Sequence, residues 1–175
     1  HLPRTIGLAL GGIATGAALL QHGTGSVWWL GLLALHVLVG PQIARARVAR
    51  STAPASAERG NLLIDAALCG WWLPAMGFNL LPTALLVTAL SASTLAARGI
   101  HQMGAGLAAL AAGALLGFAA FGLAFEPLVT LPTLLACLPL LVACLLYLGG
   151  IPRRLSHRLQ RQQQDLGQSE QLHRS

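Results

Sequence analysis

The stretch MGAGLAALAAGALLGFAAFGLAF, Met103 to Phe125, decides the fold. It contains no charged, amide or hydroxyl side chain. It is longer than the roughly 20 apolar residues that carry a helix across a hydrocarbon core of about 30 Å. No period-2 alternation of the outer-membrane strand kind runs through it, and a lone backbone in lipid must satisfy its hydrogen bonds within itself. The reading is a transmembrane helix.

Five similar runs surround it. They cover Thr5 to Leu20, Val27 to about Ile43, Asn61 to about Gly77, a fourth ending near Ala97 and a sixth ending near Leu148. Composition agrees: 55% of the chain is hydrophobic and only 9% charged, with a mean hydropathy of +0.67. A soluble domain carries roughly 25% charged residues, so this chain has too little polar surface to cover a water-exposed globule. The first run is not a cleavable signal peptide, because no small-residue cleavage motif closes it. The chain opens on His1, so the true start of the protein is expected upstream.

The links between runs give an orientation. All 11 basic residues are Arg. They fall in the segment Ala44 to Gly60, in the connection Arg98 to His101, at Arg4, and after Pro152. Gln21–Ser26, Phe78–Asn79 and Glu126–Pro127 carry none. With basic links inside, both termini are cytoplasmic and those three links are periplasmic. Arginines scattered between apolar runs do not form the basic face that nucleic acid requires, so no nucleic-acid partner is expected.

Within the runs, few polar groups stand out. Asp65 lies about 9 Å into run three and His36 about 13 Å deep in run two, at 1.5 Å per residue. Intramembrane ionisable groups face the bundle interior. The two can pair, and Ser91, Ser93 and Thr94 at similar depth are alternative partners for Asp65. The cluster reads as a structural hydrogen-bond set, as the polar floor of a ligand pocket with Trp71 and Trp72 near Pro74 as apolar lining, or as part of a proton or ion pathway, though no further carboxylate continues one toward the periplasm. A haem would need two imidazoles at one depth, and His101 stands in a link, away from His36. Cys69, Cys137 and Cys144 sit inside apolar runs as small packing residues, without metal-ligand spacing. The candidate binding residues are therefore His36, Asp65, Trp71, Trp72 and Ser91, with no catalytic residue and no metal. Gly7/Gly11, Gly12/Gly16 and Gly113/Gly117 permit close helix approach, within the chain or at a dimer seam.

After Gly149-Gly150 the character changes. Leu155, Leu159, Leu166 and Leu172 fall nearly on a heptad with polar positions between, a weak coiled coil that suits a connector into a further domain. The expected organisation is all-α: a six-transmembrane-helix bundle over residues 1–150, then a cytoplasmic connector helix over 151–175.

His1-Leu2-Pro3-Arg4 leading into Ile6-Gly7-Leu8-Ala9-Leu10-Gly11, Glu58-Arg59 with Asn61-Leu62-Leu63-Ile64-Asp65-Ala66, Met76-Gly77-Phe78-Asn79-Leu80-Leu81-Pro82, and Ala136-Cys137-Leu138-Pro139-Leu140-Leu141 stand in order along the chain. Together they resemble the MASE2 family of bacterial membrane-associated sensor domains. Run four departs mildly, with Ser91 and Ser93 in place of more polar amides. The resemblance implies attachment to a cytoplasmic nucleotide cyclase, either a diguanylate cyclase or a class III adenylate cyclase, working as a homodimer. It also implies that any divalent metal belongs to that absent catalytic domain. The expected function is an inner-membrane anchor and sensor taking a lipid or other apolar molecule. A passive anchor, or a small transporter or channel, is the alternative; a transporter needs polar residues on both membrane halves.

Overall fold

A computed structural model describes residues 2–98, 100–122 and 124–146. Its described secondary structure is entirely helical: α1 (Leu2–Gln21), α2 (Val27–Arg50), α3 (Pro54–Ala75), α4 (Leu80–Arg98), α5 (Ile100–Phe121) and α6 (Leu131–Leu146). Of these, α2 and α5 are long and apolar enough to cross a membrane; the apolar parts of α4 and α6 are shorter, Leu80–Leu95 and Leu131–Leu146. The proposed connector, with Leu155, Leu159, Leu166 and Leu172, lies outside the described residues.

Two boundaries differ from the sequence reading. The segment Ala44 to Gly60 is not a loop: α2 continues to Arg50 and α3 starts at Pro54. Arg47 and Arg50 lie in the last turn of α2, where cations complement the negative end of the helix dipole. Proline at the first helical position gives up an N–H that has no partner there anyway. At the other end, α5 stops at Phe121 rather than Phe125. Gly122 takes φ +77, a left-handed conformation that closes helices.

The bundle interior holds Leu19, Leu33, Trp72, Leu73, Met76 and Leu85, yet many large apolar side chains also face outward. Leu131, Leu135, Leu138, Val142, Leu145 and Leu146 of α6 are exposed, while Thr133, Cys137, Leu140 and Cys144 face inward at helical spacing. The buried residues of α5 are Gln102, Gly106, Gly113 and Gly117. Large apolar groups facing outward, with glycines at the inner face of α5, suit a hydrocarbon solvent, where close backbone approach gains dispersion contacts.

That approach is closest between α3 and α5. A methyl group built on Gly113 would overlap the carbonyl of Ala67, one on Gly70 the carbonyl of Leu110, and one on Gly117 would press on Trp71 and Pro74. On α1, a methyl group built on Gly11 would lie 3.1 Å from Leu86 of α4, and one on Gly12 would overlap Val37 of α2. Both members of the Gly113/Gly117 pair thus pack within the chain.

The links Gln21–Ser26 and Phe78–Asn79 meet the segment before α6 in a polar knot. Gln21 Oε1 accepts from Asn79 Nδ2 (3.1 Å), Thr130 N (3.2 Å), Thr130 Oγ1 (3.0 Å) and Thr133 Oγ1 (2.7 Å). Its Nε2 donates to Leu128 O at 2.6 Å. His22 Nδ1 lies 3.0 Å from Glu126 Oε2, and Thr24 Oγ1 donates to Ala75 O at 2.6 Å. The tight turn into α4 takes left-handed backbone at Gly77 and, unusually, at Phe78 (φ +54). The Phe78 ring packs on Phe118 and Phe125, with centroids 5.3 and 6.2 Å away, which offsets the cost of that conformation.

Candidate functional site: an interhelical cavity

A cavity of about 700 Å³ opens among α1, α2, α3, α4 and α6, within the size range of small-molecule sites. One face of α3 supplies Glu58, Leu62, Asp65, Cys69 and Trp72. These positions repeat at the three-and-four spacing of one helical stripe. From α1 come Arg4, Gly7, Gly11, Gly12 and Thr15. The glycines withdraw side-chain volume and so create space; nothing lies within 4 Å of a methyl group built on Gly7.

Arg4 supplies the partner that Asp65 requires. Its Nη2 lies 2.6 Å from Asp65 Oδ2 and its Nη1 3.5 Å from Glu58 Oε1. The Arg4 and Asp65 side chains are each only 15% exposed. The expected pairing of Asp65 with His36 does not form, and neither do the serine alternatives. Ser93 Oγ donates to Leu90 O (2.8 Å), and Thr94 Oγ1 donates to Leu90 O (2.9 Å) and Ser91 O (3.1 Å). A charged arginine outcompetes neutral hydroxyls for a half-buried carboxylate because the charge-assisted bond is about twice as strong.

His36 instead meets Trp72. The indole Nε1 donates to His36 Nδ1 at 3.2 Å, while His36 Nε2 is buried with no hydrogen-bond partner among the described residues. Both residues line the cavity.

Of the five candidate residues, the structure brings His36, Asp65 and Trp72 to one cavity. Trp71 turns to the opposite side, where Phe121 sits between it (5.7 Å, edge-on) and Trp29 (4.6 Å). Ser91 is half-buried outside the cavity lining, and Ser93 takes the lining place from α4. His101 is exposed in the first turn of α5. Sequence reasoning treated Arg4 as an orientation marker alone and overlooked its second role. The signal was there: a carboxylate inside an apolar run demands a counter-charge, and Arg4 opens the run that leads into the bundle.

Comparison with known proteins bears on the same residues. A family model described as "MASE2 domain" matches residues 1–88, a span that includes Arg4, His36, Glu58, Asp65 and Trp72. Two Escherichia coli strains each have a protein described as "Probable diguanylate cyclase DgcC" that is 32% identical over 107 residues. The match covers 61% of this chain and 29% of the relative, so the chain corresponds to well under half of the relatives' length. No solved structure matches the chain.

Proposed function

The chain belongs to the MASE2 domain family, and from that premise we propose that it is a six-span sensor and anchor of the bacterial inner membrane, with both ends in the cytoplasm. It dimerises, receives an apolar molecule in the cavity among α1, α2, α3, α4 and α6, and passes the result through residues 151–175 to a cytoplasmic nucleotide cyclase. A diguanylate cyclase is the favoured output, since the Escherichia coli relatives are so described; a class III adenylate cyclase is the second reading.

The observation that carries the sensory part is the cavity. Its walls are mainly apolar; its acidic and basic side chains, Arg4, Glu58, Asp65 and His36, are grouped on α1, α2 and α3, and Thr15, Thr88 and Ser93 add hydroxyls. Such a site suits entry sideways from the bilayer by a molecule with an apolar body. Five helices share it, so occupancy changes how they pack, and a connector leaving α6 carries that change outward.

Native mass spectrometry of the chain purified in mild detergent tests this. One co-purifying apolar molecule per protomer is expected. It should disappear in Gly7→Leu, which fills the cavity from a position where a side chain meets open space. If wild type and Gly7→Leu carry the same adducts, or neither carries any, the protein is a passive anchor.

A further inference from the structure

Resting on the reading of the cavity as a ligand site, we propose that its occupant is an uncharged amphiphile that presents a carbonyl-type hydrogen-bond acceptor to His36 Nε2–H.

The Trp72–His36 bond fixes the chemistry. An indole N–H is only a donor, so His36 Nδ1 must accept, and the neutral ring then carries its proton on Nε2. That N–H is buried, and among the described residues no group accepts from it. A donor in this state costs about the desolvation of one polar group, a cost that vanishes when a ligand brings an acceptor. Among the described residues, neither the hydroxyls that line the cavity, Thr15, Thr88 and Ser93, nor the Asp65 carboxylate makes a hydrogen bond to His36 Nε2.

Charge narrows the class. Among the described residues that line the cavity, Arg4 is the one permanent cation, and it already faces two carboxylates, Asp65 and Glu58. No net positive charge is left to hold a carboxylate or phosphate head group, which would meet like charge. The apolar lining from α1, α4 and α6, including Leu86 and Leu140, suits a hydrocarbon tail. Ketone, quinone or ester oxygens on an aliphatic body share the required features.

The test uses the full chain, labelled with ¹⁵N-histidine, in nanodiscs of neutral phosphatidylcholine. His36 is expected as a neutral ring protonated on Nε2. Its N–H resonance should move on addition of 2-tridecanone and stay in place with tridecane, a matched alkane without an acceptor. By native mass spectrometry from the same discs, His36→Leu should bind the ketone about tenfold more weakly and the alkane unchanged. His36→Gln, which retains a donor, should stay within about threefold of wild type.

A proton found on Nδ1 overturns the proposal, as does equal binding of ketone and alkane by the wild type. A resonance shifted equally by both probes points to displaced water and also overturns it. Each of these leaves the cavity as a ligand site. Failure of both probes to bind the wild-type chain removes the ligand site itself. The wild-type comparison decides the matter even if His36→Leu fails to fold.

Discussion

Arg4 Nη2 and Asp65 Oδ2 stand 2.6 Å apart, so the first turn of α1 is tied to the middle of α3 by a charge pair that is largely withdrawn from solvent. Glu58 joins the pair at 3.5 Å, one carboxylate oxygen facing Arg4 and the other without a partner among the described residues. The polar cluster that the chain carries into its apolar bundle is thus an ion pair with a second acid beside it.

Removing both members should cost less than the sum of removing each alone. Asp65→Ala leaves Arg4 with only the more distant Glu58, at a cost of about 3 kcal/mol, the lower end for breaking a buried pair. The double variant Arg4→Ala/Asp65→Ala should recover about 1–3 kcal/mol relative to the sum of the single changes. Thermal unfolding in detergent of the four proteins measures this; simple additivity would show that the pair contributes nothing.

Glycine substitutions should divide by helix. Gly113→Ala and Gly70→Ala place a methyl group into carbonyls of the facing helix and should destabilise by about 1–3 kcal/mol, despite the helix-propensity gain of about 1 kcal/mol. Gly7→Ala meets nothing within 4 Å and should stabilise by roughly 0.5–1 kcal/mol. Melting temperatures that move the same way at all three sites would contradict the α3–α5 packing.

The polar knot should respond as a unit to loss of Gln21. Its Oε1 accepts four hydrogen bonds, so Gln21→Leu orphans several donors at about 1–3 kcal/mol for each one left buried. Amide exchange at Thr130, whose N–H bonds to Gln21, should quicken. Unchanged protection there would mean that the segment before α6 is held by other contacts.

Orientation is open to cysteine labelling on a background with Cys69, Cys137 and Cys144 replaced. A cysteine at Ser56 should react only from the cytoplasm and one at Gly23 only from the periplasm. The opposite pattern would invert the bundle and sever the proposed path to a cytoplasmic cyclase.

The legible part of the fold follows from chain-local quantities. Apolar run length marked every described helix, because the energy of placing a residue in hydrocarbon depends on that residue and its neighbours. Helix ends were less legible: the arginine-rich end of α2 stays helical to Arg50, since polarity there signals emergence into water rather than a break in hydrogen bonding.

The sequence by itself determined an all-helical apolar bundle, the places where charge interrupts it, and the small set of polar groups carried inside. Tertiary structure alone decided their partners. Asp65 goes to Arg4 across 61 positions of sequence, His36 goes to Trp72, and the two adjacent tryptophans part company, one to the cavity and one to Phe121. Pairing depends on helix rotation and on which neighbours touch, and both are set by packing between segments distant in the chain. A difference of one residue turns a side chain by about 100° around its helix, which is why Trp72 lines the cavity and Trp71 does not.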